Sequence, residues 1–289
     1  MDETNFTRTQ ARNISLRGKL VSAPITAASV EKLSVVGGLF AGEIHQLAFD
    51  HAGALLVLAG LGVRKLDPTT LAEKSRWLAD RRVQSAHTCG EKIWVVVDDN
   101  VYLAGFGEPL GKPLASVKYS FAHTYVAFGT KFAVVTQRGA MVVDTSGTTR
   151  EYTIDAPWFE GQSSSKTPDR AMLSPSGRHV GVTTNYSGYT VIWDVETGAQ
   201  LFARKNHESK VLLDDKRIFK GGEYSSSMIE FTTDTWSNPA GSKSFGETFV
   251  REGRLLAADS KGGFELFDSN SFKSIAQLDS HKHHTGRGT

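Results

Sequence analysis

A single cysteine, Cys89, stands in 289 residues, so an intrachain disulfide is impossible and a cysteine-rich zinc site is excluded. Proline is scarce, at 8, and charge nearly cancels: 33 Lys and Arg against 31 Asp and Glu leave +2. That balance gives no electrostatic footprint for nucleic acid or an anionic membrane, whose binding needs a clustered basic excess. No apolar run approaches the roughly 18 residues of a membrane span. The longest, Ala52 to Val63, is broken by glycines and bounded by His51 and Arg64. The start, Met1-Asp2-Glu3-Thr4-Asn5, has no basic segment leading into an apolar stretch, unlike a secretion signal. A cytoplasmic protein without membrane or direct nucleic-acid contact is the expectation.

Catalytic patterns are also sparse. There is no Gly-x-Ser-x-Gly elbow, and His207-Glu208 is followed at metalloprotease spacing by Val211, not by a second histidine. Gly105 to Lys112 imitates a phosphate loop, but its glycine spacing is wrong and Pro113 replaces the hydroxyl that would hold magnesium; it reads as a turn. Asp98-Asp99-Asn100 also reads as a turn, because short polar side chains bond nearby backbone. His281, His283 and His284 precede a tail of flexible composition, 282–289, and read as solvated rather than metal-binding. His45 and His123 are isolated. No metal or cofactor is expected.

What is present suits many short strands: 28 glycines, 39% hydrophobic residues and frequent Thr, Ser and Val. A unit recurs of strand, polar turn, strand, glycine turn, strand and acidic turn. Its clearest copy has Ala171-Met172-Leu173, the turn Ser174-Pro175-Ser176-Gly177, a strand from His179, and Tyr189-Thr190-Val191-Ile192-Trp193. Asp194 to Gly198 closes it before Gln200-Leu201-Phe202-Ala203 begins a fourth strand. Ile44 to Phe49, Leu55 to Ala59 and Val63 to Leu66 repeat the grammar, as do Glu247 to Val250, Leu255 to Ala258 and Phe264 to Phe267; weaker copies surround Gly90, Gly129 and Asp215.

Taking Gly53, Gly90, Gly129, Gly177, Asp215 and Gly253 as equivalent, the intervals are 37, 39, 48, 38 and 38 residues, a mean of 40. Acids end the third strand at Asp67, Asp144, Asp194 and Asp268. A generic sandwich has no reason to repeat one turn chemistry at one spacing, and helical solenoids fail because the apolar period is two. The expectation is an all-β chain, one β-propeller domain over 1–289 built of four-stranded antiparallel blades. Six copies are countable. The amino-terminal segment would help close the ring, making seven blades, with six as the alternative.

Met172 to Gly177 followed by Val191-Ile192-Trp193-Asp194-Val195-Glu196-Thr197-Gly198 resembles a WD-repeat unit, including the Trp-Asp pair. Copies ending in Leu66-Asp67, Val143-Asp144 and Phe267-Asp268 are similar with tryptophan replaced. Asn206-His207 and Ser280-His281 fall where that family often has Gly-His. The similarity spans about residues 33 to 281.

The longest interval holds an insert, Ala156 to Asp169, that carries Trp158, Phe159 and Glu160. The resemblance implies that it opens on the same face as the turns near Tyr186, Tyr189 and Tyr224. Aromatics offer large contact area with few rotors to freeze. These six residues are the candidate partner-binding set, set against the alternative that Trp158 and Phe159 plug a gap between blades. The functional expectation is a non-catalytic protein-interaction scaffold, a subunit of an assembly that holds a protein or peptide. The alternative is a propeller enzyme or small-ligand receptor with its site over the central channel.

Overall fold

The computed structural model describes residues 44–59, 61–68, 70–117, 125–156, 167–184, 188–205, 211–212, 214–220, 227–237, 245–251, 254–259 and 264–278. Blade one is β1 (Ile44–Phe49), β2 (Leu55–Ala59), β3 (Val63–Leu66) and β4 (Glu73–Trp77). Blade two is β5 (Val83–Cys89), β6 (Lys92–Val97), β7 (Asn100–Gly105) and β8 (Ala115–Ser116). Blade three is β9 (Tyr125–Phe128), β10 (Lys131–Thr136), β11 (Gly139–Asp144) and β12 (Thr149–Thr153). Blade four is β13 (Arg170–Leu173), β14 (His179–Thr183), β15 (Tyr189–Asp194) and β16 (Gln200–Lys205). Blade five is β17 (Val211–Leu212), β18 (Arg217–Lys220), β19 (Ser227–Glu230) and β20 (Thr235–Ser237). Blade six is β21 (Phe245–Arg251), β22 (Arg254–Asp259), β23 (Phe264–Asp268) and β24 (Ser274–Leu278).

Each blade pairs its strands in chain order, all antiparallel, and the six form a β-propeller. The described residues therefore make the six-bladed alternative rather than the preferred seven. The amino-terminal segment expected to help close the ring, and the tail 282–289, lie outside the described residues.

Alternation along each strand builds the seams. Successive side chains point to opposite faces of a sheet, so one middle strand serves two neighbours. In blade three, Phe132, Val134, Met141 and Val143 pack with Trp94 and Val96 of blade two. Their alternates Ala133, Val135, Ala140 and Val142 pack with Val180, Val182, Val191 and Trp193 of blade four. Blade four then turns Met172, Ile192 and Phe202 toward Ile218 and Ile229 of blade five. Both middle strands of blade four, β14 and β15, are buried at every position. The outermost β12 buries only Tyr152. First strands of successive blades lie side by side, from β1 and β5 through to β17 and β21.

The recurring acids explain the turns into the fourth strands. Asp194 Oδ1 accepts from the Glu196 and Thr197 amides and the Thr197 hydroxyl, at 3.0, 2.8 and 3.0 Å. Asp268 Oδ1 accepts likewise from the Asn270 and Ser271 amides and the Ser271 hydroxyl. Asp144 Oδ1 holds the Ser146 and Thr148 amides. Four residues beyond Asp194 the chain turns left-handed at Gly198, where φ is 79°, a conformation that costs a glycine nothing sterically.

Candidate functional site

Five of the six expected contact residues, Trp158, Phe159, Glu160, Tyr186 and Tyr224, lie outside the described residues, as do His123 and the side chain of His45. Tyr189 is described. It sits in β15 opposite Lys205 of β16, is 2% exposed and packs in the seam between blades three and four. Burial pushes its phenol well above the usual range. Tyr189 is therefore a packing residue rather than one presented to a partner, because its strand is covered on both faces.

Both ends of the insert are anchored. Before it, the Ile154 amide donates to the Arg138 carbonyl at 2.8 Å. The Asp155 amide donates to Gln200 Oε1 at 3.1 Å, while Gln200 Nε2 returns a bond to the Asp155 carbonyl at 2.7 Å. Beyond it, the Asp169 amide donates to the Thr183 carbonyl at 3.1 Å. Arg150 of β12 ties the same two blades together, donating to the carbonyls of Val195 at 3.0 Å, Glu196, and Thr197 at 2.9 Å. The Tyr152 hydroxyl donates to the Val195 carbonyl at 2.8 Å.

Two polar clusters that the sequence reading missed lie at other seams. Between blades one and two, Gln46 of β1 meets Ser85 and His87 of β5. Gln46 Oε1 accepts from the Ala86 amide at 3.0 Å and the Ser85 hydroxyl at 3.4 Å. That leaves Gln46 Nε2 to donate to His87 Nδ1 at 3.2 Å. With Nδ1 an acceptor, the imidazole proton is assigned to Nε2, which donates to the Ser85 oxygen at 2.8 Å. Burial pushes the imidazole down to about 4. A catalytic serine needs the opposite polarity, with its hydroxyl donating to an unprotonated nitrogen.

Between blades four and five, His179 is 4% exposed and lies between two carboxylates. Its Nε2 is 3.7 Å from Asp194 Oδ2 and its Nδ1 is 3.6 Å from Asp215 Oδ1. Burial lowers its proton affinity despite both acids. Phe231 presents its ring at 5.5 Å, edge to face. Ser176 bonds Asp215 and the Arg178 amide, so its hydroxyl holds a turn. Among the described residues no three His, Cys, Asp or Glu side chains gather to hold a metal. Burial raises the Cys89 thiol, which keeps it protonated near neutral pH.

The turn readings hold at two places. Asp98 and Asp99 have φ of 49° and 60° and make a two-residue connection from β6 to β7 that suits a hairpin. The Glu108 amide donates to the Gly105 carbonyl at 3.1 Å, making Gly105 to Glu108 a turn.

Over the described residues the fold and its seams define the class, a β-propeller with six blades. No protein-family model and no curated protein matches the chain. No helix among the described residues is long and apolar enough to cross a membrane.

Proposed function

We propose that this protein is a non-catalytic protein-interaction scaffold, a cytoplasmic subunit of an assembly, that holds a protein or peptide partner through the connection between β12 and β13. The observation that carries the reading is the anchoring of that connection: Ile154, Asp155 and Asp169 are pinned by backbone and Gln200 bonds. The connection carries Trp158, Phe159 and Glu160. Loops on a rigid scaffold are where recognition concentrates, and aromatic anchors dominate binding energy. The WD-like residues Trp193 and Asp194 add support to kinship with repeat proteins of that kind, and near-neutral charge suits a protein partner better than nucleic acid.

The test is affinity capture from the native host with wild type and with Trp158→Ala/Phe159→Ala. The double variant should lose most of a partner that wild type retains, at unchanged thermal stability. Equal capture by both proteins overturns the assignment.

A further inference from the structure

We propose that the Gln46–Ser85–His87 cycle is an acid-sensitive latch that fastens the first blade to the second. The inference is independent of the scaffold reading. Every member both gives and receives: Gln46 Nε2 to His87 Nδ1, His87 Nε2 to Ser85 Oγ, and Ser85 Oγ back to Gln46 Oε1. The Ala86 amide, also donating to Oε1 at 3.0 Å, fixes the Gln46 amide against flipping. A flip would set its NH2 against the Ala86 N–H, donor against donor.

A proton arriving at His87 has one place to go, the Nδ1 lone pair that Gln46 now occupies. Imidazolium is a donor at both nitrogens, so the protonated ring faces Gln46 Nε2 with N–H against N–H. No internal rearrangement of the cycle accommodates this, and the ring and amide must part.

Little around the ring would compensate the charge. Trp94 lies opposite on β6, and Phe132 of β10 presents a ring at 6.0 Å. The titratable groups of the seam that Trp94 and Phe132 share are the Cys89 thiol on the same strand and the Tyr125 phenol of β9, both partly buried there. Lys92, paired with Cys89 at the far end of β5, adds charge of the wrong sign. Burial alone sets the imidazole's proton affinity. An ordinary value of 6.5 against about 4 in place means that protons favour the open latch roughly 300-fold.

Behind the latch, Ala48, Leu56, Leu58, Val63 and Ala86 line a cleft beside Gln46 with no room for a water molecule. Opening admits water to this apolar seam, so acid loosens blade one from blade two.

The whole chain labelled with 15N in its imidazoles tests the proposal, with His87→Gln used to assign the His87 signals. The expected result is the Nε2–H tautomer at neutral pH and titration near pH 4. Protection of the Ala86 amide from hydrogen exchange, corrected for intrinsic rate, should fall with acidification, while Val180 in blade four keeps its protection. An Nδ1–H tautomer, titration at the ordinary value, or unchanged Ala86 protection as His87 titrates would overturn the latch. His87→Gln should also lose the pH step at Ala86. If that variant does not fold, site assignment by selective labelling leaves the wild-type tautomer and exchange profile to decide.

Discussion

One carboxylate oxygen organises the turn into the fourth strand in blades three, four and six. At Asp194 the bond from the Thr197 amide, with those from the Thr197 hydroxyl, Arg178 and the Glu196 amide, holds the acid below the usual carboxylate range against the effect of burial. Asp194→Ala leaves the Glu196 and Thr197 amides without this acceptor and should cost about 2 kcal/mol in urea denaturation at neutral pH. The dependence on pH has a definite sign. A carboxyl depressed in the folded state contributes fully above its unfolded value of 3.8 and loses that contribution as pH falls through its folded value. The gap between wild type and Asp194→Ala should therefore close in strong acid. His87 acts earlier. Its depressed imidazole contributes fully above about 6.5, and the contribution is lost as pH falls toward about 4.

At the scale of the element, the pleat decides which residues meet, and glycine is required where two strands come closest. A Cβ on Gly139 would lie 1.9 Å from the Tyr152 carbonyl oxygen, across the β11–β12 pairing of Gly139 with Thr153. Backbone cannot yield as a side-chain tip can. Gly139→Ala should cost roughly 3 kcal/mol and deprotect the amides of β12 in hydrogen exchange, with blade six unaffected; wild-type protection across β12 would contradict this packing account. Strand bounds were legible where turn residues flank an apolar run: β1, β2 and β3 run over the same residues that the sequence pattern picks out. They were not legible for β8 and β17, two residues each, too short for a period of two to show.

The candidate site was legible only as a spacing anomaly. The insert from Ala156 to Asp169 departs from a repeat, and a departure can be seen without knowing its shape. Tyr189 was misread because proximity to a turn says nothing of facing; its strand is sealed on both sides by neighbouring blades, a fact of tertiary assembly. Gln46 and His87 are 41 positions apart, and neither is unusual in its own strand. Their meeting follows from adjacent first strands, so a polar residue on each inner strand was the available signal.

Across the whole molecule, seams shared by successive blades make a scaffold that is tied blade to blade, with Arg150 and Gln200 bracing the junction from which the β12–β13 connection leaves. In the scaffold proposed above, such bracing fixes the two ends from which the connection leaves, and fixed ends lower the entropy cost of association. The most direct measurement is a hydrogen-exchange footprint of the full chain with and without its captured partner. Protection should concentrate between Ile154 and Asp169, with exposed outer strands such as β20 unchanged. A footprint confined to the outer strands, or to first strands lining the channel, would contradict it.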